Sequence, residues 1–315
     1  MVSPKQATIS KADRRIWEID FLRGILIIGM IFDHFMFFLG EFGSLYPVGS
    51  VPEWLVNVGN FAHAYWWNEV KTAIRFIGVL LFFFLVGVSS KFSKSNLKRA
   101  LICTGCGIAL SLIFMTYSLI FNDNHFSLIG VITCLGLAML IYWAGKALHI
   151  KIHKGETNWK WWALGIGISL LVIGITINLV SARDSLRFGR IFNAMWGEYN
   201  TNCDDTQRNL KLWQVPIIII GYFRWGSDWL SILPFLGMTF IGGFIGENVY
   251  SDRRSIFFRK DLEKNKSFNE TAIRKTWLIN WMGAKTFIIY FLHPVVIILL
   301  LLIVFSISCL SLPVL

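Results

Sequence analysis

The first apolar stretch of the chain, near residues 17–40, carries five titratable side chains: Glu18, Asp20, Arg23, Asp33 and His34. A charged or titratable group inside a bilayer costs a few kcal/mol on insertion scales, so such residues are held by partners or perform a function. On a helix, the eleven steps from Arg23 to His34 leave the two about 20° apart around the axis and about 16.5 Å apart along it. They therefore share one face, polar at both ends, and Gly24 on the same stretch lets a neighbour or ligand approach closely. An imidazole titrates near neutrality, which suits His34 to general base work. The same ring could instead join two helices by hydrogen bonding. Arg23 has two readings as well, an anchor paired with Asp20 three residues earlier or a site for an anionic ligand. Asp33 points about 100° away from His34 and is expected to pair with a cation such as Arg75.

Two further stretches add candidates. His293 precedes Pro294 in Ile289-Tyr290-Phe291-Leu292-His293-Pro294, and the proline removes a helical hydrogen bond to the Tyr290 carbonyl, so a kink beside His293 is expected. Asp228 opens the segment Asp228-Trp229-Leu230-Ser231-Ile232-Leu233-Pro234. It is placed near the outer membrane boundary, where an exposed loop acid is the plain reading. Cys103 and Cys106 form an isolated C-x-x-C in an apolar helix, which is not read as a metal site, and no metal is expected.

The elements that must position these groups are membrane helices. Of the 315 residues, 55% are hydrophobic and only 16% charged, with 14 Trp and 27 Phe and a mean hydropathy of +0.58. A soluble domain is about 25% charged, so soluble enzymes and nucleic-acid modules are excluded. The fold class is an all-α polytopic membrane protein in one domain, 1–315. Crossing about 30 Å of hydrocarbon takes about 20 helical residues. Spans are read near 17–40, 72–90, 100–121, 126–145, 161–180, 229–249 and 279–311. The run at 215–223 is too short to cross and is read as a re-entrant segment, an eighth span being the alternative.

The net charge of +11 is distributed as topology signals are. Lys5, Lys11, Arg14 and Arg15 precede the first span, and Lys91, Lys94, Lys98 and Arg99 follow the second. Lys146, Lys151, Lys154 and Lys160 follow the fourth, and eight basic residues lie between Arg253 and Lys275. Between these groups, 41–71 has only Lys71 and 122–125 has none. Basic residues stay in the cytoplasm, so the N-terminus is placed there and the C-terminus outside. The Asn269-Glu270-Thr271 sequon then falls on the cytoplasmic side, where it is a chance match. The glycine pairs Gly105/Gly107 and Gly165/Gly167, with Gly242, Gly243 and Gly246, are read as packing surfaces because no strand precedes them.

Asp20-Phe21-Leu22-Arg23-Gly24, followed by an apolar helix reaching Phe32-Asp33-His34-Phe35, resembles the opening span of bacterial heparan-alpha-glucosaminide N-acetyltransferase-like proteins of the transmembrane acyltransferase superfamily. Phe84 to Ser90 with Asn96 to Arg99, Asp228 to Pro234, and Gly283 to Pro294 resemble later blocks of that family in the same order. The final block departs from the family pattern at Ala284 and Thr286, with Lys285 between them, and Thr133 stands where relatives often carry histidine.

The resemblance implies an acyltransferase. Acyl-CoA, acetyl-CoA foremost, would bind from the cytoplasm with its phosphates met by Arg23, Lys98 and Arg99. His34 would deprotonate an acceptor hydroxyl or amine, or carry the acyl group itself. Asp20, Asp33, Arg75, Asp228 and His293 would bind substrate or support the site. The acceptor would be an extracytoplasmic glycan or lipid-linked sugar, and the setting a bacterial plasma membrane, with lipids as surroundings and no nucleic-acid partner. Homodimer formation is left open. The rival reading is a transporter or channel in which Arg23, His34 and His293 line a path for a small solute or protons.

Overall fold

The computed structural model describes residues 15–45, 51–121, 129–154, 158–181, 213–220, 230–257 and 260–310. Among them, six helices are long and apolar enough to cross a membrane, and every regular element is a helix. The chain divides into two compact units, Met1–Lys71 with Asp252–Leu315, and Thr72–Ser251.

The first unit is organised on α1, Trp17–Leu45. The first turn of a helix has backbone N–H groups without intrahelical acceptors. Here Asn269 Oδ1 accepts from Trp17 N at 3.0 Å and Asn269 Nδ2 donates to the Arg15 carbonyl at 2.9 Å. Asn269 belongs to α9, Leu262–Lys275, an amphipathic helix whose own start is capped by Asp261 accepting from Lys264 N. The sequon asparagine is thus committed to holding the start of α1. Glu18 is buried, and its Oε1 accepts from Ile256 N at 2.8 Å. Trp17 packs among Phe21, Phe257 and Phe268.

Three helices then line α1. α10, Trp277–Ala284, runs antiparallel to it: Gly24 lies against Ile279 and Gly283 against Asp20. α11, Thr286–Leu310, runs parallel to α1, with His293 beside His34 and Phe305 beside Phe42 at 5.6 Å. α2, Glu53–Trp66, turns back along α1, setting Gly59 on Gly43 and His63 on Gly40. Farther down, Trp66 meets Phe37 at 4.7 Å and Tyr65 meets Phe32 at 5.6 Å. The corner that follows, before α3 begins at Glu69, is therefore level with Asp33, about 24 Å from the start of α1 and near its middle.

α3, Glu69–Ser90, leads into the second unit. There α4, Asn96–Phe121, packs antiparallel on α5, Val131–Ile152, with Gly107 against Thr133 and Gly136 against Thr104. α6 is Trp159–Ser181, α7 is Gln214–Ile220 and α8 is Ile232–Asn248. α8 is glycine-rich because its neighbours' backbones touch it: Gly237 meets Gly167 of α6, and Gly242 and Gly246 meet Phe84 and Val88 of α3. Tyr142, Trp159 and Phe240 fill the core beside it, the indole donating to the Tyr142 hydroxyl at 3.3 Å. At one end of α8, Glu247 pairs with both Lys91 and Lys146. In α4 only 17% of the most apolar stretch is buried within the protein.

Several expectations are corrected. Among the described residues six long spans are present rather than seven, because the stretch read as 229–249 contains the 17-residue helix Ile232–Asn248, too short by length alone. The stretch 279–311 breaks at Lys285 into α10 and α11, and α11 itself continues unbroken through Pro294. The region 41–71, taken as a loop, contains α2. Of the 215–223 run, residues up to 220 are helical and 221–223 lie outside the described residues. Gly107, Gly167, Gly242, Gly243 and Gly246 are packing positions, but Gly105 and Gly165 face open space.

A methyl group at Gly283 would overlap the Asp20 backbone carbonyl, so α10 would have to withdraw from α1. Gly283→Ala is expected to destabilise the protein by about 1–3 kcal/mol, the usual cost of overpacking. Gly29→Ala, where nothing lies within 4 Å, should stay within about 0.5 kcal/mol. Thermal unfolding of both variants in detergent checks this.

Candidate functional site

The parallel run of α11 along α1 brings together two histidines separated by more than 250 residues in sequence. The rings of His34 and His293 meet edge to face with centroids 4.9 Å apart. His34 Nδ1 lies 2.9 Å from the Met30 carbonyl and His293 Nδ1 lies 3.2 Å from that of Ile289, each one turn back on its own helix. A carbonyl can only accept, so each Nδ1 carries the ring proton and each Nε2 presents a lone pair. The pair thus forms two adjacent bases with fixed tautomers. His293 is buried, its Nε2 has no hydrogen-bond partner, and Tyr290 packs on its ring at 5.7 Å. An unpaired polar atom at this depth is costly unless a substrate or water meets it.

Toward the start of α1, Asp20 receives the guanidinium of Arg23 at 3.3 Å and approaches Arg15 at 3.9 Å. Asp20 and Arg23 lie where α10 crowds the backbone of α1 at Gly24 and Gly283.

Asp33 is held by a partner that sequence reasoning did not name. Lys71 Nζ lies 3.2 Å from its carboxylate, with the lysine side chain 5% and the aspartate 13% exposed. The ammonium also donates to the Trp66 carbonyl at 3.2 Å and sits 3.4 Å from the Trp66 ring centroid. Carboxylate, carbonyl and aromatic face together replace the water this lysine has lost. One signal pointed to it: Lys71 is the sole basic residue of an otherwise lysine- and arginine-free segment. Arg75, the expected partner, lies one turn beyond on α3 in the second unit.

Lys98 and Arg99 are exposed at the start of α4, also in the second unit, with Lys98 N bonded to Ser95 Oγ. Asp228 lies outside the described residues. Thr133 is buried against Gly107 in the α4–α5 crossing. Lys285 marks the break between α10 and α11, and Thr286 Oγ donates to the Gly283 carbonyl at 2.6 Å.

Fold and site define an all-α, multi-pass membrane protein with a histidine pair inside its first unit. Residues 15–295 match the family model described as heparan-alpha-glucosaminide N-acetyltransferase, catalytic, and the chain belongs to that family. Membership supports a transmembrane acyltransferase-like function in general terms. Neither a curated protein nor a solved structure matches the chain.

The buried ion pair gives a prediction about its coupling. Removing one partner strands the other charge, so Asp33→Asn and Lys71→Met should each destabilise by about 3–5 kcal/mol. The double variant should recover much of that loss, as thermal unfolding of all three in detergent would measure.

Proposed function

We propose that this protein transfers an acyl group, acetyl foremost, from acyl-CoA on the cytoplasmic side to a hydroxyl or amine of a sugar on the opposite side. The observation that carries this reading is the His34–His293 pair, two adjoining imidazoles whose Nδ1 atoms are each committed to a carbonyl of their own helix, with Arg23 on the same face of α1 at a lower level. The geometry of α1 and α11 supports two-sided action. The helices run parallel, so the N-terminal end of α1 and the C-terminal end of α11 lie on opposite sides of one span. The basic segments then favour a cytoplasmic N-terminus.

In the reaction, Arg23 attracts the CoA phosphates and the thioester extends along α1 toward His34. His34 Nε2 removes the proton from the acceptor hydroxyl or amine as that atom attacks the thioester carbonyl. A C–O or C–N bond forms, the C–S bond breaks, and the proton passes from the imidazolium to the CoA thiolate. In the covalent route, His34 Nε2 attacks first and CoA leaves as the thiolate; the acceptor then attacks the acyl-imidazole, a C–O or C–N bond forms as the bond to His34 Nε2 breaks, and the acceptor's proton passes to His293 Nε2. His293, edge-on to His34, serves both routes by accepting a hydrogen bond from the protonated ring or the acceptor.

Calorimetric titration of acetyl-CoA into the detergent-solubilised protein tests the donor half. Arg23→Ala is expected to weaken binding about tenfold or more, the loss of a charge-assisted contact. His34→Ala should keep the binding and lower turnover by about 10²–10⁴. Absence of binding by the wild type across acetyl-CoA and longer acyl-CoAs would overturn the proposal and direct attention to solute flux.

A further inference from the structure

The corner between α2 and α3 places polar groups where lipid cannot serve them. α2 descends along α1 until Lys71 meets Asp33, so residues 67–69 sit level with the middle of the first span rather than at its end. Trp67 is 60% exposed there, and the His63 and Glu69 side chains beside it are exposed as well. Exposed carboxylate and imidazole groups at that depth require water or a polar ligand, because hydrocarbon offers no hydrogen bonds.

The arrangement is also fixed in place. Trp67 Nε1 donates to His63 Nε2 at 3.3 Å, which leaves the imidazole proton on Nδ1. Asn68 Oδ1 caps α3 by accepting from Val70 N and Lys71 N at 2.9 and 3.2 Å. Lys71, clamped by Asp33 and the Trp66 ring and carbonyl, pins the corner to α1. Trp66 touches Phe37, three residues and about one turn from His34.

From these contacts we infer that Trp67, His63 and Glu69 form the acceptor subsite, a shelf for a sugar ring entering from the extracytoplasmic side. This deepens the proposed acyl transfer and rests on it for the identity of the ligand. The indole offers an apolar face to the C–H face of a pyranose, the Glu69 carboxylate accepts from its hydroxyl or ammonium groups, and His63 Nδ1–H donates to a hydroxyl oxygen.

Saturation-transfer NMR with D-glucosamine and methyl glucoside, on the full chain in lipid nanodiscs without acyl-CoA, tests the shelf independently of transfer. Wild-type protein should saturate the ring C–H protons of the sugar. Trp67→Ala should reduce that signal at least fivefold, Trp67→Phe should retain most of it, and Glu69→Gln should weaken glucosamine more than the neutral glucoside. In a transfer assay, Trp67→Ala should raise the acceptor KM about tenfold and leave acetyl-CoA affinity within twofold. Equal saturation in wild type and Trp67→Ala, or none in wild type, would overturn the shelf. So would disulfide cross-linking of a Val70→Cys variant to a second copy, since the corner would then be an interface. Failure of acetyl-CoA binding alongside intact, Trp67-dependent sugar saturation would remove the transfer reading and leave the shelf standing.

Discussion

Inside a bilayer, a polar side chain must find its partner within the protein, and the first unit is arranged around meeting that requirement for one helix. α1 carries Glu18, Asp20, Arg23, Asp33 and His34, and each has a specified contact. The Ile256 amide takes Glu18, Arg23 and Arg15 take Asp20, Lys71 takes Asp33, and the Met30 carbonyl takes the Nδ1 proton of His34. These contacts come from three separate parts of the chain: α1 with Arg15 just ahead of it, the α2–α3 corner, and the segment ahead of α9. Chain ends far apart in sequence are therefore drawn to a single helix. Among the described residues of this unit, Trp17 Nε1, Glu18 Oε2, Asn280 Oδ1 and His293 Nε2 are buried without a hydrogen-bond partner, and His293 is the one of these beside a second titratable ring, that of His34.

The packing follows from the same constraint. Helices in lipid gain little from burying apolar surface against each other, so close approach through small residues carries the association. Gly24 and Gly283 let α10 touch the α1 backbone, and Gly40, Gly43 and Gly59 let α2 do so. α2 can then descend to mid-span and deliver Lys71 to Asp33. Had α2 remained a surface loop, the carboxylate next to the catalytic candidate would have needed another cation.

Sequence patterning revealed the long apolar helices and the polar face of α1, because both are local properties of a continuous run. Placement of His293 beside His34 was not legible, since it depends on α11 lying parallel to α1, a relation that no spacing encodes. α2 escaped notice for a related reason. Its sequence, EWLVNVGNFAHAYW, mixes asparagine, glycine and histidine among apolar residues and is too short to cross, so it reads as a loop until its small residues are seen against α1. The same limit applies to Asp33: helical geometry showed that it needed a cation, while the choice of Lys71 was made by the turn of α2. Lys285 broke the last apolar stretch at a position where hydropathy alone sees one segment.

Sidedness is the most direct test of transfer across the membrane. Protein reconstituted in one orientation in sealed liposomes would receive labelled acetyl-CoA only on the face bearing Arg15 and Arg23, with D-glucosamine only on the other. Labelled N-acetylglucosamine is expected to accumulate on the glucosamine side, with no product when His34 is replaced by Ala. Product formed only when donor and acceptor share one side, or product undiminished by His34→Ala, would contradict the account.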